Sequence, residues 1–251
     1  MTGAEIAIVV AAGFVAGTIN TVVGSGTLVT FPVLLGLGYP PVVANVSNSL
    51  GLVPGSVTGA IGYRRELRGQ GGRLLRFGAV TVLGAITGAL LLLVLPPDAF
   101  EAVVPVLIVL ALVLVLLQPF IATWLARRSV ERHPHGGIPL LLSVFGTAIY
   151  GGYFGAAQGV ILVALMGILL DETLQRINGI KNVFVATANL ASGVVFVFVA
   201  DVDWLVVALL AGGSILGGVV GARIGRRLRP SWLRATIVVV GTVAIVQLIV
   251  T

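Results

Sequence analysis

The sequence predicts an all-α polytopic membrane protein, an inverted repeat of two five-segment halves with both termini outside. Its composition is the first indication: 58% of the 251 residues are hydrophobic and 10% are charged, whereas soluble domains carry about 25% charged residues. Apolar runs of about 20 residues, long enough to span a bilayer, recur from end to end. The third observation is a match between the two halves at a constant offset. The absence of cysteine excludes disulfides and thiolate sites.

About ten membrane segments follow from these runs, and the first two of each half are short or broken. The first half, residues 1–126, contains segments at 5–23, at 27–37, from the turn at 38–41 to about 62, at 77–95 and at 102–125. The fifth is the most uniformly aliphatic and is predicted to face lipid. A polar linker, residues 127–137, separates the halves. The second half, residues 138–251, contains segments at 138–157, up to 170, at 177–199, at 204–224 and at 235–250.

An offset of 133 residues relates the halves without a gap. Six pairs share this register: Gly13 with Gly146, Gly26 with Gly159, Asn45 with Asn178, Asn48 with Lys181, Gly84 with Gly217 and Gly88 with Gly221. Glycine is common in this chain, so one match means little. Six in register indicate an internal duplication.

Loop charges indicate that the two copies are inserted in opposite senses. The arginine-rich loop at 63–76 aligns with 196–209, whose charged residues are Asp201 and Asp203. The arginine cluster at 226–234 aligns with the acidic stretch 93–101. Because arginine-rich loops stay in the cytoplasm, both termini should then lie outside and the linker inside. The broken first pair of each half either crosses twice or dips in and returns, and the sequence leaves both open.

Lys181, the only lysine, lies inside an apolar run between Asn178 and Asn182. Asn189 follows about two helical turns on, on the same face. A charge within a membrane segment costs at least roughly 2.5–3.5 kcal/mol, so it is usually paired or faces a wet cavity. We interpret this cluster as an anion site. The alternative is a lysine that extends to the headgroups from a helix end.

Two glycine-rich breaks, at 24–27 and 155–159, each open a short second helix. A helix that starts inside a membrane presents unpaired N–H groups and a partial positive charge, which attract anions. No carboxylate lies in the middle of an apolar run, so the predicted site is neutral to positive. The residues predicted to bind substrate are Asn20, Ser25, Gly26, Thr27, Asn45, Asn48, Gln158, Gly159, Asn178, Lys181, Asn182 and Asn189. Several of the amides are expected only to pair across helices.

The chain resembles the sulfite exporter TauE/SafE family in both halves. In the first half the resemblance rests on Gly13-Phe14-Val15-Ala16-Gly17, Asn20, the break at Gly24-Ser25-Gly26-Thr27, Pro32 and the stretch Ala44 to Asn48. In the second half it rests on Tyr150-Gly151-Gly152-Tyr153-Phe154-Gly155, Gln158-Gly159, Lys181-Asn182 and Asn189. The resemblance implies a carrier of small sulfur-containing anions such as sulfite, sulfoacetate or other sulfonates. It adds Tyr153 to the predicted substrate-binding residues.

The chain departs from the family pattern at three places. Family members often have an acid at the position of Asn20, four glycines at the first break and a small hydroxyl residue at the position of Gln158. The missing acid argues against proton coupling through that position. The coupling ion, proton or Na⁺, therefore stays open.

Rival functions differ in the residues they need. A channel-like facilitator of anions or organic acids would use the same site. A membrane-embedded enzyme would have to use His133 and His135 beside Glu131, the one pattern that could ligate metal, although Pro134 and two glycines mark a solvated turn there. A non-transporting scaffold would leave the buried polar residues without purpose. We predict no enzyme, cofactor, metal or nucleic-acid partner, and a multi-pass protein of the cell membrane in which glycine-rich spans could also pack between chains as an oligomer.

Overall fold

The computed structural model describes residues 1–127, 136–224, 238–239 and 242. Within the first two of these ranges the chain forms nine α-helices: α1 (Gly3–Val22), α2 (Thr27–Gly36), α3 (Pro41–Gly62), α4 (Gly71–Val94), α5 (Pro97–Arg127), α6 (Gly137–Tyr153), α7 (Gln158–Leu169), α8 (Leu174–Val199) and α9 (Trp204–Ile224). The arginines of 226–234 and the histidines of the linker lie outside the described residues. Of the predicted segment at 235–250, only residues 238–239 and 242 are described.

Local sequence explains where several helices begin. Thr2 and Glu5 form a reciprocal capping box at the start of α1, and α5 begins at Pro97, a residue suited to a first helical position. The prediction that the fourth segment begins at 77 is wrong, because α4 begins at Gly71. Arg73 and Arg76 therefore lie on its first turns, where the helix continues beyond its apolar stretch.

Five of the described helices are long and apolar enough to cross a membrane: α1, α4, α5 to Phe120, α8, and α9 to Arg223. Of these α5 is the most apolar and the least buried. Its exposed side chains include Val106 and Phe120. These observations agree with the prediction that the fifth segment faces lipid.

The pair α1–α2 dips into the protein and returns to the end from which it started. Met1 and Glu5, at the start of α1, line a cleft of about 200 Å³ together with Leu37, Gly38 and Tyr39, which follow α2. Only a hairpin brings the two ends together in this way. For this pair the structure thus decides between the two arrangements that the sequence left open.

The pair α6–α7 forms a second hairpin, which enters from the opposite end. Leu140 near the start of α6 and Leu170 after α7 share one hydrophobic cluster with Ile177 at the start of α8. The turn after α7 also contacts the start of α4, since Arg73 and Glu172 form a salt bridge of 2.9 Å. The second hairpin therefore opens at the arginine-rich end of the molecule.

Helices α3 and α8 run antiparallel between these two ends. At the arginine-rich end, Arg176 on α8 donates a hydrogen bond to the carbonyl of Arg68, just after α3 (3.2 Å). At the other end, the N–H of Asp203, after α8, donates to Ser47 Oγ near the start of α3 (3.0 Å). There burial, together with the hydrogen-bonded carboxylate of Asp203, raises the pKa of Tyr39. Arg68, Arg73 and Arg176 thus lie at one end of the molecule, and Glu5, Asp203 and the N-terminus lie at the other.

An ionic cluster that sequence analysis did not predict joins the halves at the arginine-rich end. The Glu172 carboxylate accepts hydrogen bonds from Gln70 (2.8 Å) and Arg73 (2.9 Å) and pairs with Arg176 (3.0 Å). Arg73 also donates to the Gln70 side chain. We call these four residues the Glu172 cluster. Burial by itself would raise the pKa of Glu172, but these hydrogen bonds and the two arginine charges outweigh it and hold the pKa below its usual value.

Close helix packing depends on glycines whose Cβ would strike backbone on a neighbouring helix. A Cβ at Gly17 on α1 would lie 2.4 Å from the carbonyl oxygen of Ser214 on α9. A Cβ at Gly152 on α6 would lie 2.1 Å from the carbonyl oxygen of Ala85 on α4. Small residues let helices approach closely where lipid replaces water as the solvent. Accordingly, α1 makes its most extensive contact with α9, and α6 makes its most extensive contact with α4.

Gly152→Ala is expected to destabilise the protein by about 1–3 kcal/mol, because the added methyl group overpacks against α4. Gly146→Ala is the matched control on the same helix, since its Cβ would meet nothing within 4 Å. The control should be neutral or slightly stabilising, because alanine is the better helix former. Unfolding in detergent measures both, and equal melting temperatures for the two variants would contradict the close contact.

Glu172→Gln is expected to cost stability at neutral pH and to cost progressively less in acid. Because folding lowers the pKa of Glu172, its carboxylate stabilises the protein fully at pH values above 4.5, the ordinary pKa of the group. This stability is lost as the pH falls through the lower pKa of the folded state. Melting temperatures of the wild type and the variant between pH 7 and pH 3 should therefore converge. Glu101→Gln, which removes an exposed carboxylate from α5, should give no such convergence.

Candidate functional site

The two hairpins meet at their breaks, backbone against backbone. The N–H of Gly159 donates to the carbonyl oxygen of Gly24 (3.0 Å). A Cβ built at either glycine would lie 2.5 Å from the Cα of the other. Neither position therefore has room for a side chain. Gly24 also has a φ of +94°, which disfavours any side chain.

Left-handed residues produce both breaks. Gly24 ends the first arm of one hairpin, while Gly155 (φ +75°) and Ala157 (φ +60°) end that of the other. A non-glycine residue at positive φ is uncommon and strained. The Tyr150 hydroxyl holds this second break by donating to the carbonyl oxygen of Ala156 (2.5 Å). The sequence analysis quoted Tyr150 within a motif but did not assign it this positioning role.

Lys181 binds the end of α1. Its Nζ donates to the carbonyl oxygens of Asn20 (2.8 Å) and Thr21 (3.0 Å), and its side chain is fully buried. Asn178 and Asn182 each donate a hydrogen bond of 3.3 Å to the same Thr21 carbonyl. A cation at a helix C-terminus is favourable because the last carbonyls carry partial negative charge. The burial of Lys181 excludes the alternative in which it extends to the headgroups.

Asn45 performs the corresponding task in the other half. Its Nδ2 donates to the carbonyl oxygen of Tyr153, the last residue of α6 (2.9 Å). Each hairpin therefore has the end of its first arm bound by a long helix of the opposite half. Asn45 and Asn178 are also paired by the repeat offset.

Other predicted site residues pair within the protein. Asn20 Nδ2 donates to Ser56 Oγ (2.9 Å). Asn48 donates to Thr27 Oγ1 (3.3 Å) and accepts from the Thr30 hydroxyl, so it holds the start of α2. Asn189 is buried on α8, about 12 Å along the helix from Lys181 at 1.5 Å per residue.

Several buried polar atoms have no hydrogen-bond partner in the described part of the chain, and the predicted site supplies four of them. They are Ser25 Oγ, Asn45 Oδ1 and both polar atoms of the Gln158 amide. An unsatisfied buried group costs about 1–3 kcal/mol, so such groups call for a bound water, ion or ligand. Ser25 precedes α2 and Gln158 is the first residue of α7, and neither helix has a side-chain cap.

Donors without partners therefore lie next to the contact between the hairpins, since Ser25 follows Gly24 and Gln158 precedes Gly159. Ser25 offers a hydroxyl and Gln158 an amide N–H₂. The stem of Lys181 passes the same point, because its Cδ lies 2.9 Å from a Cβ built at Gly159. Gly26 packs against the carbonyl oxygen of Ala16 instead, 2.5 Å from its own added Cβ. The arrangement suits a small anion.

Aromatic rings wall one side of this region. Phe31 on α2 and Phe154 in the second break meet edge to face, with ring centroids 5.2 Å apart. Phe100 on α5 contacts Tyr153 (5.6 Å) and Phe154 (6.1 Å) in the same manner. Tyr153 thus contributes its carbonyl to Asn45 and its ring to this wall.

No group of histidine, aspartate and glutamate side chains that could hold a metal ion occurs among the described residues. His133, His135 and Glu131, the metal-ligand pattern weighed from the sequence, lie outside them.

Lys181→Met is expected to destabilise the protein by roughly 2 kcal/mol, because the buried Asn20 carbonyl loses its ammonium donor. Asn182→Ala should cost less, since the Thr21 carbonyl keeps two other donors. Chemical unfolding in detergent measures both. A Lys181→Met protein as stable as the wild type would contradict the proposed role of the ammonium at the end of α1.

Comparison with known proteins gives matches over almost the whole chain. Residues 9–248 match the model of the family described as sulfite exporter TauE/SafE. The probable membrane transporter protein YfcA of Escherichia coli K12 is 27% identical over 236 residues, 93% of this chain and 86% of that protein. A probable membrane transporter protein of Haemophilus influenzae is 29% identical over 235 residues, 93% of this chain and 90% of that protein. The probable membrane transporter protein ORF9 of Sinorhizobium is 25% identical over 242 residues, 95% and 90% of the two chains.

No solved structure gives a significant match to the chain. The family match nevertheless covers almost the whole sequence, and these relatives are described as transporters rather than as enzymes. With its apolar spanning helices, the chain is an integral membrane protein that belongs to the sulfite exporter TauE/SafE family of membrane transporters.

Proposed function

We propose that this protein is a secondary carrier of small sulfur-containing anions, such as sulfite, sulfoacetate or other sulfonates, across the cell membrane. One observation carries the proposal: where the two hairpins meet, Ser25 and Gln158 hold buried polar atoms without partners at the starts of two helices. The description of the family as sulfite exporters supports this class of substrate.

The chemistry of the site fits an oxyanion bound to sulfur. Sulfite and sulfonates present several acceptor oxygens on one centre, which match the Ser25 hydroxyl and the Gln158 amide. An ammonium has three donors, and the Asn20 and Thr21 carbonyls take two of those on Lys181. In the proposal the third donor serves the anion, and Asn178, Asn182 and Asn45 hold the surrounding backbone in place.

The contacts between helices support an inverted repeat as the framework of transport. Helix α1 packs on α9 as α6 packs on α4, and α3 packs on α9 as α8 packs on α4. The two hairpins enter from opposite ends, as copies inserted in opposite senses would. The N-terminus lies at the end away from the arginines, which supports its placement outside the cell because arginine-rich loops remain in the cytoplasm.

Burial supports a carrier over a channel-like facilitator. Ser25 and Gln158 are each 1% exposed, and Lys181 is 0% exposed. An anion can reach these groups only if the protein rearranges, and alternating access supplies such a movement. An open channel would keep the site accessible from both sides.

Ser25→Ala is expected to weaken sulfite binding about tenfold, because the loss of one donor hydrogen bond corresponds to roughly 1.4 kcal/mol. Ser192→Ala is the matched control, since Ser192 is equally buried but its hydroxyl is satisfied by the carbonyl oxygen of Ala188 on its own helix (2.9 Å). Thermal stabilisation of the detergent-purified protein by sulfite, sulfoacetate, sulfate and acetate measures the binding. A ligand at 100 times its dissociation constant adds about 2.7 kcal/mol.

Flux into liposomes completes the test. Sulfite or a sulfonate should be taken up at carrier rates, with counterflow, and a pH or Na⁺ gradient should reveal which ion is coupled. The absence of any shift with every anion on the panel would overturn the substrate class. Equal effects of Ser25→Ala and Ser192→Ala would overturn the location of the site.

A further inference from the structure

A second polar cleft, of about 350 Å³, opens at the arginine-rich end, away from the meeting point of the hairpins. It is bounded by the start of α4, the turn after α7 and the start of α8. The lining residues are Gly69, Gln70, Gly72, Arg73, Arg76, Phe77, Glu172 and Arg176.

The cleft carries an excess of positive charge. Three arginines face one carboxylate, and Glu172 is shared between Arg73 and Arg176 within the Glu172 cluster. Arg76 is exposed and lies 5.5 Å from the centre of the Phe77 ring. Guanidinium groups bind phosphate oxygens in a bidentate manner, which makes arginine the preferred residue for this anion.

The backbone at the start of α4 adds to this charge. The helix begins at Gly71 without a side-chain cap, and its N-terminal N–H groups carry partial positive charge toward the cleft. A Cβ at Gly71 or Gly72 would meet nothing within 4 Å. Space is therefore available beside the helix terminus for a bound group.

Exposed leucines lie on the first turns of the two helices that form the cleft. Leu75, beside Arg76 on α4, is 78% exposed, and Leu174 at the start of α8 is 49% exposed. A basic cleft at the end of a spanning helix, with exposed leucines on the same helix turns, matches a lipid whose phosphate lies at the membrane surface and whose chains enter the apolar region. Basic pockets between membrane helices bind anionic headgroups on the same physical grounds.

We propose that this cleft binds the phosphate group of an anionic phospholipid, with the acyl chains lying over Leu75 and Leu174. This site is separate from that of the transported anion. By spanning α4 and α8 it would couple the lipid to the Glu172 cluster that joins the halves.

The decisive comparison is between Gly72→Glu and Gly72→Gln in the full-length protein. Both side chains fit the open space, but the glutamate places a negative charge in the cleft. A glutamate in the first turn of a helix also favours the helix, so weaker binding by this variant would not result from unfolding of α4. The apparent affinity for phosphatidylglycerol, titrated into detergent-purified protein and followed by thermal stabilisation and native mass spectrometry, should fall at least tenfold in Gly72→Glu and little in Gly72→Gln.

Arginine variants provide an independent test. Arg76→Gln should weaken phosphatidylglycerol binding more than Arg64→Gln, which removes the same charge from an exposed position that does not line the cleft. Phosphatidylcholine, which carries no net charge, should bind weakly to the wild type. Binding of sulfite should be unchanged in Gly72→Glu, which separates this site from the one at the hairpin breaks.

Three results would overturn the proposal. Phosphatidylglycerol could fail to stabilise the wild type, or could bind Gly72→Glu and Gly72→Gln equally well. Soluble glycerol phosphate could also stabilise the protein as strongly as the lipid at equal concentration, and would then assign the cleft to a soluble phosphate ester instead.

Discussion

The structure depends on the hydrogen bonds that the backbone carbonyls receive where two helices, α1 and α6, end inside the protein. In the bilayer core no water is available to donate a hydrogen bond to an unpaired carbonyl. Non-helical backbone is therefore tolerated there only where protein groups form hydrogen bonds with it. Helix α8 supplies these groups to α1 through Lys181 and two asparagines, and α3 supplies one to α6 through Asn45. The hairpin breaks are therefore stable only in the presence of the opposite half.

The two sides of each break differ in whether their polar groups have hydrogen-bond partners. The carbonyls that end α1 and α6 have donors, whereas Ser25 and Gln158, at the starts of α2 and α7, retain buried atoms without partners. Structural requirements explain the first set fully and leave the second set unexplained. On the proposed function, the transported anion would complete the hydrogen bonds of this second set, and Lys181 would serve both the backbone and the substrate.

Glycine contacts hold pairs of helices together, whereas ionic contacts join the halves at the arginine-rich end. Glycines bring α1 against α9 and α6 against α4 at backbone distance, so these pairs have little freedom to separate locally. The Glu172 cluster, in contrast, is held by side chains at the arginine-rich end, and its three charged members are partly exposed. Because both glycine interfaces join opposite halves, a movement that exposes the site would break the ionic contacts more readily than these interfaces.

The sequence by itself determined the membrane class, most helices and the residues of the breaks, because apolar length and glycine position are local properties. It singled out Lys181 as a charge inside an apolar run, and it placed Ser25 and Gln158 at helix starts. Only the tertiary structure decided that the Lys181 ammonium binds the end of α1, that the first pair of helices is a hairpin, and that Glu172 joins the halves. The lysine contact joins residues 161 positions apart, the Glu172 contact with Gln70 joins residues 102 apart, and the hairpin brings the start of α1 against the residues that follow α2. No local pattern encodes which distant group a side chain will meet.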